Sequence, residues 1–148
     1  MGEIVSVNDI LITPLKRIEV TGGDVMHGLK NTDAGYQGFG EAYFSWIEKD
    51  CVKAWKQHTR MTLNLIVPVG EIRFVFFSPD DVSNFRTEIA GVSRYVRITV
   101  PPGLWFGFHG IGEGQSLLLN VANIQHEPEE VHREMLTVFP YDWDNYSK

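Results

Sequence analysis

Residues 51–77 read CVKAWKQHTRMTLNLIVPVGEIRFVFF, and the pattern of this stretch decides the fold. Val, Ile, Leu, Phe and Thr fill its arms, and these residues suit a pleated, half-buried surface. Between the second and third arms stand Pro68, Val69 and Gly70. Proline fixes φ and glycine tolerates φ > 0, so the chain turns there. The stretch reads as strand, strand, tight turn, strand. Side chains alternate faces along a strand, so residues two apart lie together. Lys56, His58, Arg60, Thr62 and Asn64 share one parity, and Met61, Leu63, Leu65 and Val67 share the other. If the segment stays extended, cations and hydrogen-bond donors line one face and apolar groups the other. Such a stripe can face water on a two-layer sheet. It can equally line the polar lumen of a small β-barrel or jelly roll. The rest of the chain favours the lumen.

Working outward, residues 3–7 and 10–20 alternate and predict two short strands with a turn at Asn8-Asp9. Gly22, Gly23 and Asp24 break that pattern, and the glycine-punctuated block 25–40, with His27 in it, reads as a loop. A strand is expected over 41–48, then, beyond the opening stretch, a turn over 78–85 and a strand over 86–89. Residues 94–100 alternate well and stop at Pro101-Pro102-Gly103. Two more strands, 104–109 and 116–122, flank the glycine turn at 110–114. Many short strands at regular spacing indicate an all-β sandwich or barrel. The tail departs from this. Residues 127–136, EPEEVHREML, carry an early proline, acids first and His and Arg later, which predicts a short C-terminal helix. An aromatic extended segment, 139–143, follows.

At 148 residues the chain is expected to form a single domain spanning 1–148. A net charge of −6 argues against nonspecific binding of nucleic acid or an anionic membrane, while leaving room for a local cationic pocket. One cysteine, Cys51, allows neither an internal disulfide nor a cysteine-cluster metal site, and is expected to pack as a small hydrophobe. The N-terminus lacks the basic and apolar segments of a signal peptide, and no apolar run is long enough to span a bilayer. A cytoplasmic location is the expectation.

Three landmarks now stand in order. They are Lys53-Ala54-Trp55-Lys56-Gln57-His58, the strand start Gly70-Glu71-Ile72, and the turn into an aromatic strand, Pro102-Gly103-Leu104-Trp105-Phe106-Gly107-Phe108. Pro140-Tyr141-Asp142-Trp143 closes the chain. Together, over roughly residues 40–143, they resemble the dTDP-4-dehydrorhamnose 3,5-epimerase-like cupins, a group that includes sugar-nucleotide 3,4-ketoisomerases. The resemblance implies a cupin jelly-roll barrel, a homodimer, and a nucleotide-diphosphate 4-keto sugar bound in the lumen. Epimerases of this kind abstract a proton α to the C4 ketone and return it on the opposite face. The chemistry calls for a base near neutral pKa, a general acid and donors to the enolate oxygen.

Carried over position by position, the family's catalytic histidine falls on Lys56 and its diphosphate-binding basic residue on Lys53. The family's lumen lysine falls near Leu63 or Asn64, the histidine of its His-Gly-Phe motif on Phe106, and its general-acid tyrosine on His126. The aspartate that orients the family's histidine has no clear counterpart. Lys56 can serve as base if burial or neighbouring cations lower its pKa. His58, on the same strand face, has the better intrinsic pKa and is favoured. His126 is a candidate acid from the opposite wall. Arg60 and Arg73 are candidates for the diphosphate, since a guanidinium fork matches two oxygens. Asn64 and Asn120 are candidates for sugar hydroxyls, and Trp105 and Tyr141 for stacking on a base or pyranose, or for the core. Metal-dependent cupins need two histidines and a carboxylate on one strand pair with a distant third histidine. Here the first of those positions is Lys56 and no His-x-His occurs, so neither a catalytic metal nor another cofactor is expected. The expected function is a metal-free epimerase or isomerase of a nucleotide-diphosphate 4-keto-deoxy sugar, in polysaccharide or deoxysugar biosynthesis. A non-catalytic nucleotide-sugar-binding cupin is the competing expectation, motivated by the replaced base.

Overall fold

The computed structural model describes residues 4–144. The N-terminal part holds β1 (Leu11–Pro14), β2 (Arg17–Ile18), β3 (Val25–Met26) and β4 (Glu41–Ile47). Residues 51–77 and the serine that follows supply β5 (Val52–His58), β6 (Leu63–Val69) and β7 (Glu71–Ser78). Then follow β8 (Asp81–Gly91), β9 (Val96–Val100), β10 (Trp105–Gly110), β11 (Ser116–Ala122) and β12 (Val131–Arg133). They build two five-stranded antiparallel sheets, ordered β1-β9-β6-β11-β4 and β12-β5-β10-β7-β8, with β2 and β3 forming a small hairpin beside them. Consecutive strands β5 and β6 therefore belong to different sheets, while β6 and β7 cross back through the turn at Gly70. Its φ of +80° is one that a side chain rarely adopts.

The core lies between the sheets. Ile72, Phe74 and Phe76 of β7 and Phe106 and Phe108 of β10 meet Leu63 and Leu65 of β6 and Ile98 of β9. A second apolar cluster occupies the outer face of the β5–β10–β7 sheet. Trp55, Val75, Phe77 and Trp105 are roofed there by Phe139, Tyr141 and Trp143. Gly107 makes that roof fit, because a Cβ on it would lie 2.5 Å from Ala54 Cβ and 3.0 Å from Trp143 Cζ2. The aromatic tail is thus a lid on the back of the barrel.

Four expectations need correction. No helix forms over 127–136: Pro128–Glu130 is a single 3-10 turn and Val131–Arg133 is a strand. The free edge of β5 offers unpaired backbone groups, and β12 satisfies them, with Trp55 and Glu134 extending the pairing through two further backbone hydrogen bonds. A lone ten-residue helix has no comparable gain in water. The turn expected over 78–85 shrinks to Pro79 and Asp80, because Asp81 already pairs with Ser78. Of the strand expected over 3–7, residue 3 lies outside the described residues, residues 4–6 are not strand, and Val7–Asp9 is a 3-10 turn closed by a Ser6–Asp9 capping box. Cys51 is an exposed free thiol, outside the strands, whose Sγ reaches Glu48 Oε2 at 4.0 Å, rather than a buried hydrophobe.

Candidate active site

The site begins with an irregularity in β5. Across the β5–β10 ladder, Phe106 faces Lys56 but Gly107 faces Ala54, so Trp55 is an extra residue, a β-bulge. On a regular strand Lys53 and Lys56 would point to opposite faces. The bulge resets the alternation, so both line the same cavity as His58. Trp55 is left pointing outward into the second aromatic cluster.

That cavity is the lumen, about 290 Å³ in volume. Its lining combines the apolar side chains of Leu63, Leu65, Phe106, Phe108 and Leu118 with the polar ones of Lys53, Lys56, His58, Arg133, Tyr43 and Asn120. Lys53 Nζ donates to the carbonyl of Trp46 at 2.8 Å, tying the two sheets together across the mouth. Asn120 Nδ2 donates to Tyr43 Oη at 3.0 Å, so the phenol and the amide form one polar spot on the wall contributed by the β1–β4 sheet. Arg133 stands directly opposite Lys56 in the β12–β5 register.

His58 is buried, and its Nδ1 meets Oε1 of Glu130 in a short hydrogen bond. Glu130 is itself only 1% exposed, yet its carboxylate is fully served. Its second oxygen accepts the backbone N–H groups of Arg60 and Met61, each at 3.2 Å, where the chain turns the corner from β5 to β6. Its carbonyl accepts from the N–H and the hydroxyl of Thr59. Burial would raise the Glu130 pKa, but the bond from His58 and the two N–H groups outweigh it and hold the carboxyl below its usual value. An ionised carboxylate can only accept, so Nδ1 of His58 carries the proton and Nε2 keeps its lone pair. Burial pushes the His58 pKa down. The hydrogen bond and charge of Glu130 oppose this, while Lys56 and Arg133 reinforce it, and the balance leaves the imidazole below its ordinary value. The arrangement is a neutral imidazole with a fixed tautomer, a base ready to accept a proton at Nε2.

Lys56 lies two residues before His58 on the same face. Its pKa is lowered by burial first, and then by the positive charges of Arg133 and Lys53. No hydrogen bond or ion pair engages its ammonium among the described residues.

Of the residues singled out from sequence, Lys53, Lys56, His58 and Asn120 come together in the lumen. The other six do not. Arg60 sits on the exposed corner, paired with Glu127 at 2.5 Å. Asn64 lies on the outer face of its sheet, bonding Gly35 and Thr99, because the corner between β5 and β6 breaks the parity on which the stripe was drawn. Arg73 and Tyr141 bond one another under the aromatic tail, and Trp105 belongs to the same outer cluster. His126 is exposed, with its backbone N–H donating to Glu41. Sequence reasoning missed Glu130, Arg133 and Tyr43. The alternation of β4 puts Tyr43 and Ser45 on one face without saying which face is inward. Glu130 stands among four acids with nothing local to distinguish it. Among the described residues, no group of three or more His, Cys, Asp or Glu side chains could hold a metal ion.

A two-sheet jelly roll of this topology is a cupin by fold, here with a carboxylate-paired histidine in its lumen. The structure is similar to a dTDP sugar isomerase of Desulfovibrio desulfuricans, at a TM-score of 0.90 and 30% identity, covering 98% of each chain. It is also similar to the sugar 3,4-ketoisomerase QdtA of Thermoanaerobacterium thermosaccharolyticum in complex with TDP, at a TM-score of 0.74 and 16% identity. That likeness covers 86% of this chain and 90% of that one, and speaks to fold alone. In sequence, 106 residues are 26% identical to a probable low-salt glycan biosynthesis epimerase of Haloferax volcanii. The match takes in 68% of this chain and 66% of that protein, just under two thirds of its length. The sequence matches no family model. With 30% identity along nearly its whole length, the chain belongs to the dTDP sugar isomerases, within the dTDP-4-dehydrorhamnose 3,5-epimerase-like cupins.

Proposed function

We propose that this protein is an epimerase or ketoisomerase of a dTDP-linked 4-keto-6-deoxy sugar, working by proton transfer α to the ketone without a metal and serving deoxysugar or glycan biosynthesis. The observation that carries the reading is the His58–Glu130 pair inside a lumen of this family's fold. The pyranose enters the lumen with C3 and C4 between His58 and Lys56. A cavity of about 290 Å³ is at the small end of ligand pockets, about 300–1,000 Å³, so it takes the sugar and leaves the nucleotide outside. The diphosphate then lies at the mouth, where Lys53 and Arg133 supply charge. Nε2 of His58 removes the α proton, and Glu130 stabilises the imidazolium that forms. Tyr43, held by Asn120, faces the ring from the other sheet and supplies a hydroxyl for proton return.

The test is solvent exchange. The protein in D₂O with dTDP-4-keto-6-deoxyglucose is expected to place deuterium at C3, at C5 or at both, read by NMR. Saturable binding without exchange would instead support a sugar-nucleotide-binding cupin. Neither binding nor exchange with any of several nucleotide 4-keto sugars would remove the reading.

We further propose a homodimer in the cytoplasm. β4 ends its sheet, and on its outer face Phe44 is 64% and Trp46 51% exposed, with Leu117 and Leu119 beside them on β11. Apolar surface of this kind on a sheet edge suits a second copy. Sedimentation at micromolar concentration is expected to give a dimer, and a Phe44→Glu, Trp46→Glu double variant a monomer. Cell fractionation tests the location.

A further inference from the structure

We propose that Lys56 is a nucleophile, condensing with the sugar ketone to form an imine that serves as the electron sink for proton abstraction by His58. The inference rests on the proposed keto-sugar reading and concerns the one amine of the lumen that this reading leaves without a chemical task. Four observations point the same way. Lys56 lines the cavity on the same strand face as the base. Its ammonium has no hydrogen-bond or ion-pair partner among the described residues, whereas Lys53 is already spent on the Trp46 carbonyl. Its flanks are cationic or apolar: Arg133 is its neighbour on β12 and Phe106 its neighbour on β10. Such surroundings disfavour the protonated amine, the familiar way in which proteins make lysine nucleophilic toward carbonyls.

The step balances without any other reagent. The neutral Nζ attacks the carbonyl carbon, the C–N bond forms, and the carbonyl oxygen takes up protons and leaves as water. The protonated imine then withdraws electrons as Nε2 of His58 takes the α proton, giving an enamine. Reprotonation at carbon and hydrolysis by water release the ketone and restore the amine.

The experiment traps the imine on the intact protein. Incubation with dTDP-4-keto-6-deoxyglucose and cyanoborohydride should give a secondary amine, heavier than the protein by the sugar nucleotide less one oxygen, mapped to Lys56 by peptide mass spectrometry. In parallel, deuterium exchange into the same sugar is followed by NMR. Lys56→Arg keeps the charge but cannot condense, and is expected to lose the adduct and at least about 100-fold in exchange rate while still binding dTDP. Exchange without an adduct, or full exchange in Lys56→Arg, would overturn the inference and leave the isomerase reading in place. If no sugar exchanges, pyridoxal 5′-phosphate serves as a carbonyl probe carrying a phosphate. Preferential labelling of Lys56 among the six lysines would then uphold the nucleophile and remove only the isomerase reading, while indifferent labelling would remove both.

Discussion

Two buried polar clusters are built on the same sheet and have opposite fates. His58 and Glu130 sit on the inner face, beside a cavity, with Nε2 of the imidazole left available. Arg73 sits on the outer face. It donates to Tyr141 and, at 3.2 Å, to Nδ1 of His109, with the rings of Tyr141 and Trp143 within 5.6 Å of its guanidinium carbon. Both clusters hold a cationic or basic group under 10% exposed, and both recruit a partner from the C-terminal segment. The difference is closure. The tail seals the Arg73 cluster with aromatic rings, so its hydrogen bonds fasten the lid to the barrel. The same segment, eleven residues before Tyr141, passes the His58 cluster as a 3-10 turn and a strand that leave one side open to the lumen. Burial is common to both clusters, and access to a cavity is what separates them.

Substitutions should separate the two by readout. His58→Asn is expected to cut exchange by about 10³-fold, near 4 kcal/mol of barrier, with little change in melting temperature. A comparable loss of folding would mean that the lumen cluster is structural as well. Arg73→Met should do the reverse, costing about 2–4 kcal/mol of stability by denaturant melts and leaving the exchange rate of folded protein unaltered. Glu130→Gln keeps the shape of the side chain but removes the charge that balances an imidazolium, and is expected to slow exchange by about 10²-fold, measured at saturating sugar.

The pH dependence sharpens the comparison further. His58 has a folded pKa below its ordinary value of 6.5, so below that value the unfolded chain binds more protons than the native one. Stability from this group is therefore fully present above pH 6.5 and is lost as the pH falls below it. Glu130, held below its ordinary 4.5, acts in the same direction further into acid, its contribution being lost as the pH falls through the folded value. Melting temperature measured against pH should decline below 6.5 in the wild type and decline less over that window in His58→Asn. The smallest effect belongs to Arg60→Ala. Its pair with Glu127 lies in water, so neither melting temperature nor exchange should move.

Much of this was legible in residues 51–77. Alternation and turn chemistry located β5, β6 and β7, and the same parity put Lys56 beside His58. Parity failed wherever the strand did. It predicted that Asn64 would share the face of His58, but the four residues between β5 and β6 carry the chain from one sheet to the other and reverse the sense of in and out. It gave no reason to put Lys53 with Lys56, which takes the bulge at Trp55. Arg73 alternates as faithfully as His58 does, and nothing local tells which side of a two-sided apolar strand holds the cavity.

Local sequence was therefore enough for the strands of residues 41–122, the family and the side-chain types available, since strand propensity, turn residues and side-chain type act over a few neighbouring positions. What only the tertiary structure decided was the pairing. Glu130 lies seventy-two positions after His58, in a run of acids that local rules read as the start of a helix. Its role comes from burial beside a histidine and two backbone N–H groups, and that environment exists only once distant segments have packed. The orienting carboxylate, like the sealed arginine behind the sheet, is a property of the closed barrel.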